Sequence, residues 1–169
     1  MILSSRRRER AFSIIETTIA AGVSAIFLGS LFSMNSASMQ TLKMAHEAAC
    51  ASQVLQQRVE SLRIANWHQI TDPDWLKANL LNADAAGSDL LKAESESLIL
   101  IPYGSSSTGN TQLTRSYGSA ASIVNRNNAL LAESAVKIIW TVNYAGSPAD
   151  RPLSRQTVAI FAKGGVAKW

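Results

Sequence analysis

Hydrophobic residues are concentrated in one long run near the start of the chain. Residues 11–32 are rich in Ile, Ala, Leu and Phe and carry a single charge, on Glu16, and no further charge occurs before Lys43. An apolar helix of about 20 residues is long enough to cross a hydrocarbon core of roughly 30 Å. The pattern therefore predicts a membrane-spanning helix as the first element of the protein.

The helical pattern continues beyond this apolar run. Residues 36–64 consist mainly of good helix-forming types and contain neither Gly nor Pro. Within them, Leu55, Val59 and Leu62 recur at the i, i+4, i+7 spacing of one helical face, whereas Arg58 is assigned to another face. We therefore expect the helix to continue to about residue 64, with one apolar stripe available to cover a small sheet.

After residue 66 the periodicity changes. Asp72 and Pro73 are typical of the N-cap and the first residue of a short helix, which is expected to end near Asn82. Alternation of apolar and polar residues then predicts four strands, at residues 97–103, 112–117, 135–144 and 154–162.

The third of these strands has the clearest alternation. Ile138, Trp140 and Val142 share one face of the expected sheet, because successive side chains of a strand point to opposite faces. We expect the apolar stripe of the helix to shield that face. The sequence thus predicts an α+β fold, in which a long N-terminal membrane-spanning helix packs on a C-terminal antiparallel sheet.

Most of the net charge lies at the N-terminus. The chain of 169 residues has a net charge of +4, and four arginines against one glutamate within residues 1–11 contribute +3, which leaves +1 for the rest. No general basic surface is therefore predicted, and nucleic acid is not expected as a partner. Basic residues before the apolar run and few after it favour a cytoplasmic N-terminus, with the remainder of the chain on the other side of the membrane.

Glu16 needs an explanation, because a carboxylate inside a membrane helix costs on the order of 2–3 kcal/mol or more. Two interpretations stay open at this point. The side chain reaches the headgroup level and water, or it pairs with a positive group on another molecule.

The residues around Glu16 favour the second interpretation. Residues 10–17 read Arg-Ala-Phe-Ser-Ile-Ile-Glu-Thr, after a short basic leader and before a long apolar helix. This arrangement resembles the type IV pilin-like family, which includes type IV pilins and the pseudopilins of type II secretion systems. In that family a membrane-embedded prepilin peptidase cuts just before the Phe and methylates the new amine. The family's Glu follows the Phe by four residues and pairs with the amine of a neighbouring subunit during assembly.

The resemblance implies a role for three residues of this chain. Ala11, where the family usually has Gly, would be the last leader residue, and Phe12 would be the cleaved and N-methylated first residue of the mature protein. Glu16 would be the assembly carboxylate. The implied partners are other pilin or pseudopilin subunits, the prepilin peptidase, an inner-membrane assembly platform and membrane lipid.

Pattern and resemblance together predict the organisation of the whole chain. The predicted parts are a basic leader, the transmembrane half of the helix, its extramembrane half and a globular α+β head, at residues 1–11, 12–35, 36–66 and 67–169. The resemblance implies a structural subunit, of the minor kind, of a type IV pilus or a type II secretion pseudopilus. It would reside in the bacterial inner membrane with a periplasmic or extracellular C-terminal domain, and in a filament after assembly.

Sequence patterns of enzymes and metal sites are missing. The chain has no Gly-rich phosphate loop after a predicted strand, no nucleophile elbow and no metal-binding His pair. His46 and Cys50 are one helical turn apart, but two histidines and one cysteine cannot complete a closed zinc site. We therefore expect no enzymatic activity, no metal and no cofactor. The alternative to a filament subunit is an unprocessed single-pass membrane protein whose periplasmic domain binds a partner.

Overall fold

A single helix dominates the N-terminal part of the chain. The structure, a computed structural model, describes residues 14–85, 91, 93–104, 109–146 and 151–164. Helix α1 spans Ile14–Ile64, 51 residues, and ends where the sequence predicts. The contacts divide the chain into two compact units, Met1–Thr41 and Leu42–Trp169.

In the first unit, the described residues all belong to α1 and their side chains are exposed. The helix is long and apolar enough to span a membrane, judged by length and composition. This agrees with the predicted apolar helix near the N-terminus.

Short helical segments follow α1 in the second unit. They are α2 at Trp67–Thr71, α3 at Pro73–Leu76, a π-helical turn at Lys77–Leu81 and a 3-10 turn at Leu130–Ala132. The predicted cap is confirmed, because the Asp72 carboxylate accepts a hydrogen bond from the Asp74 amide at 3.0 Å. Helix α2 was not predicted from the sequence. It begins with a capping box in which Asn66 and Gln69 exchange side chain–backbone hydrogen bonds.

A five-stranded antiparallel sheet completes this unit. Its strands are β1 at Ala93–Pro102, β2 at Thr111–Ser116, β3 at Ser122–Asn125, β4 at Ala135–Gly146 and β5 at Arg151–Ala162. Their spatial order is β3-β2-β1-β4-β5. The α+β layout is therefore confirmed, and the four predicted strands correspond to β1, β2, β4 and β5. Strand β3 was not predicted, since its four residues show little alternation and only Ile123 is partly buried.

The second half of α1 and one face of the sheet share a single hydrophobic core. Ile138, Trp140 and Val142 are buried as predicted. Their inner face is continued by the leucines Leu98, Leu100 and Leu113.

The helix side of this core differs from the predicted stripe. Leu55 and Leu62 are buried, but Val59 is only half-buried, and Arg58 is 3% exposed. The assignment of Arg58 to another face was therefore wrong. Val54, Arg58 and Leu62 form an i, i+4, i+8 row that faces the sheet, and the arginine is accommodated there by the carboxylate of a strand residue.

Candidate functional site

Glu16 lies in the first described turn of α1. The apolar residues Ile15, Ile19 and Val23, which surround it on the helix, are between 61% and 69% exposed. Glu16 is also the one charged residue in the described part of α1 before Lys43. The other two residues implied by the family resemblance, Ala11 and Phe12, lie outside the described residues.

The apolar surface that accompanies Glu16 extends along the described residues of the first unit. Its large exposed side chains are Ile14, Ile15, Ile19, Val23, Ile26, Phe27, Leu28, Leu31, Phe32, Met34 and Met39. Apolar area exposed to water costs about 25 cal/mol per Å² relative to burial, so a surface of this kind requires an apolar environment. Lipid chains and the helices of other molecules both supply one.

Five hydroxyl groups in this part of the helix donate to backbone carbonyls of the helix itself. Thr17 and Thr18 both donate to the Ile14 carbonyl at 2.8 Å, and Ser30 donates to the Phe27 carbonyl at 2.7 Å. Further along, Ser38 and Thr41 donate in the same way to the carbonyls four residues earlier. A hydroxyl that bonds to its own helix needs no water, so these residues are compatible with a lipid-facing or helix-facing position.

The second unit contains a buried ionic cluster around Glu96 of β1. Arg58 Nε and Nη2 donate to the two oxygens of the Glu96 carboxylate at 3.2 and 3.1 Å. Trp140 Nε1 donates to the same carboxylate at 3.2 Å, and the Arg58 guanidinium carbon lies 5.6 Å from the centroid of the Trp140 ring. The bidentate ion pair, the indole donor and the cation–π contact together satisfy both buried charges.

Arg58 also binds the end of the helical segment that precedes the sheet. Its Nη1 donates to the Leu80 carbonyl at 2.5 Å and its Nη2 to the Ala83 carbonyl at 2.9 Å. The last carbonyls of a helix have no partner within the helix, and a guanidinium group is well suited to bind several of them. Arg58 therefore joins α1, the π-helical turn and β1.

Arg115 lies on β2, directly opposite Glu96 in the β1–β2 register, and it also binds the segment that precedes the sheet. Its Nη1 donates to the Leu81 carbonyl at 2.6 Å and its Nη2 to the Asp84 carboxylate at 2.7 Å. The geometry of the cluster indicates a structural clamp, which holds the segment before the sheet in place.

This cluster was not predicted from the sequence, although each of its charges has a local signal. Arg58 stands four residues from both Val54 and Leu62, but the predicted stripe of the helix was centred on Leu55 and Val59. Glu96 lies one residue before the predicted strand at residues 97–103 and two residues before Leu98, with which it shares the inner face of β1.

His46 and Cys50 come together as the helical spacing predicts, with 3.8 Å between Cys50 Sγ and His46 Nδ1. Within the described part of the chain, no group of three or more His, Cys, Asp or Glu residues is arranged to hold a metal ion.

No family model, no curated protein and no solved structure matches this chain. Its function must therefore be inferred from its own residues.

Proposed function

We propose that this chain is a pilin-like structural subunit of a type IV pilus or a type II secretion pseudopilus, and that prepilin peptidase cleaves it between Ala11 and Phe12. The observation that carries the proposal is the position of Glu16. It is the one charge of an apolar helix that is exposed along its described length before Lys43, and it follows Phe12 by four residues.

Cleavage and the carboxylate complement each other chemically. Removal of residues 1–11 creates an amine on Phe12, and N-methylation leaves that amine positively charged. A charge-assisted contact to a carboxylate is stronger in a low-dielectric, lipid-facing setting than in water. A neighbouring subunit that places its Phe12 amine beside Glu16 would make such a contact.

Small residues on α1 support helix-to-helix packing in such an assembly. Gly22, Ala25 and Gly29 recur at i, i+3, i+7 and share one helical face. Small residues at this spacing let two helix backbones approach closely within a membrane. The apolar surface around them is then covered by other subunits in a filament and by lipid before assembly.

The proposed topology follows from the distribution of charge. The basic residues 6–10 precede the helix, which favours a cytoplasmic N-terminus in the bacterial inner membrane. The α+β head then lies in the periplasm or outside the cell. A helix whose second half packs on an antiparallel sheet is also the plan of pilin-like proteins, which supports the proposal.

The mature N-terminus tests the proposal. We expect the protein purified from bacterial membranes that contain prepilin peptidase to lack residues 1–11 and to carry one methyl group on Phe12, as measured by intact-protein and peptide mass spectrometry. The matched control is the same protein from a strain without the peptidase, which should retain the leader. An intact leader on the membrane-resident protein in both strains would instead indicate the single-pass anchored protein.

A further inference from the structure

Among the strands that the structure describes, β5 forms one edge of the sheet, and it is unusually long. It pairs with β4 over 12 residues, from Gly146 opposite Arg151 to Ala135 opposite Ala162, without a shift in register. The average strand has about 5–6 residues. A long edge strand presents a row of backbone donors and acceptors to which another extended chain can pair.

The register identifies the backbone groups on the free side of β5. The Lys163 amide donates to the Ser134 carbonyl at 2.7 Å. These two residues directly follow the pair of Ala162 and Ala135 along the β4–β5 ladder. In an antiparallel ladder every second residue bonds to the same neighbour, so the odd-numbered residues of β5 bond to β4. The even-numbered residues direct their N–H and C=O groups to the free side, and all of those with an N–H are exposed: Ser154, Gln156, Val158, Ile160 and Ala162.

Pro152 agrees with this assignment, because it occupies an even-numbered position where no N–H is needed for the ladder. Proline and charged residues protect edge strands from unwanted pairing. On β5 the proline and the charged residues lie in the first half of the strand, at Arg151, Pro152 and Arg155. Residues 156–162 contain neither proline nor charge, so this part of the edge is open to pairing.

Apolar side chains on the outer face of the sheet also end at β5. Val158 lies opposite Ile139, which lies opposite Ile99 on β1. In the adjacent row on this face, Lys137 of β4 lies between Ile160 and Ile101. Val158 and Ile160 are each 52% exposed. A strand added beside β5 would extend both rows and cover these two side chains with apolar side chains of its own.

The charge of the edge indicates what kind of strand fits it. Arg151, Arg155 and Lys163 are exposed, and β5 contains no Asp or Glu. Within the described part of the chain, none of the salt bridges includes these three residues. If β5 of a second copy paired with this edge, the interface would contain twice as many cations and no carboxylate from either β5 strand.

We propose that the free edge of β5 binds an extended, acidic segment of another protein by strand addition. The backbone of residues 154–162 provides the hydrogen bonds, Val158 and Ile160 provide apolar contacts, and the flanking cations select carboxylates. This binding site is independent of whether the chain is cleaved or assembled into a filament.

The test uses the full-length protein in detergent micelles and a short fluorescent peptide in which Val and Glu alternate. We expect saturable binding by fluorescence anisotropy. A peptide with Lys in place of Glu should bind about tenfold more weakly, since several exposed ion pairs together are worth that much in affinity. A Val–Glu peptide methylated on every backbone nitrogen should not bind, because it has no N–H with which to pair with a strand.

Two variants at one position isolate the backbone contribution. Val158→Pro removes an N–H from the free side and leaves the ladder with β4 intact, so the peptide affinity should fall more than about tenfold. Val158→Thr keeps both the N–H and the β-branched shape and loses only part of the apolar contact, so the peptide affinity should fall much less than it does in Val158→Pro. Circular dichroism melts of both variants control for folding.

Arg155→Glu gives a second readout if Val158→Pro fails to fold. It should weaken binding of the Val–Glu peptide and strengthen binding of the Val–Lys peptide. Absence of saturable binding, or equal affinity for the two peptides, would refute the proposal. Concentration-dependent oligomers that Val158→Pro abolishes, without any peptide binding, would identify a second copy as the occupant and would also refute it.

Discussion

Arg58 of α1 and Glu96 of β1, 38 residues apart in the sequence, form a buried bidentate ion pair. Their side chains are 4% and 0% exposed. Taking both charges out of water is costly, and the pair is tolerated because Trp140 and the carbonyls of Leu80 and Ala83 complete the hydrogen bonding. The pair therefore makes the packing of helix on sheet specific, since neither charge can be buried without the other.

We expect Glu96→Gln to destabilise the head by about 3–5 kcal/mol, because it leaves the Arg58 charge buried without its counter-ion. The measurement is urea unfolding of the full-length protein in detergent, followed by tryptophan fluorescence. Glu60→Gln is the matched control. Glu60 pairs with Arg63 at 2.7 Å on the exposed side of the same helix, so its loss should cost less than about 1 kcal/mol. Equal effects of the two substitutions would contradict this account.

Trp140→Ala should destabilise the head by about 3–5 kcal/mol. The ring is fully buried, and its loss leaves a cavity and removes both the indole donor and the cation–π contact with Arg58. Ile139→Ala, on the other face of the same strand, should cost clearly less because Ile139 is only partly buried. Thermal melts followed by circular dichroism compare the two, and a Trp140→Ala variant that melts with the parent would show that the wrong face has been assigned to the core.

Replacement of Ala11 by a bulky residue such as Leu should leave the precursor uncut, since the residue before the scissile bond in this family is small. Ala11→Gly, which restores the usual residue, should be cleaved at least as well as the parent. Mass spectrometry of protein co-expressed with prepilin peptidase measures the loss of residues 1–11. The same loss from Ala11→Leu would argue against the proposed cleavage site.

Glu16→Gln should insert and be cleaved normally but fail to join other subunits, because it deletes a charge-assisted contact in a low-dielectric setting. A neutral amide is easier to place in lipid than a carboxylate, so insertion itself should not suffer. Glu16→Asp keeps the charge on a shorter side chain and should give an intermediate result.

The readout for the Glu16 variants is crosslinking of the processed protein to co-expressed pilin-like subunits. Parent-level crosslinking by Glu16→Gln would support the other interpretation of this carboxylate, in which the side chain merely reaches the membrane surface. That outcome would remove the main physical support for a filament subunit.

The sequence by itself determined those features that depend on neighbours along the chain. The end of α1 at Ile64 follows from helix-forming residues that give way to Asn66, and the cap at Asp72 and Pro73 needs only its own backbone. Alternation sufficed to predict β4, because the buried positions of a half-buried strand are mainly apolar and its exposed positions mainly polar. The same local reasoning identified Glu16 as the exceptional residue of an apolar helix.

Only the tertiary structure decided where the charged residues of the head lie and how the strands are ordered. Arg58 was assigned to a face outside the core because an isolated arginine is normally solvated, and its burial depends on Glu96, which pairing of distant segments brings to it. The same holds for β5, whose alternation predicts a strand but not an edge. Among the described strands, β5 is an edge because it pairs with β4 alone. Which strands pair depends on residues far apart in the sequence, so local periodicity does not predict it.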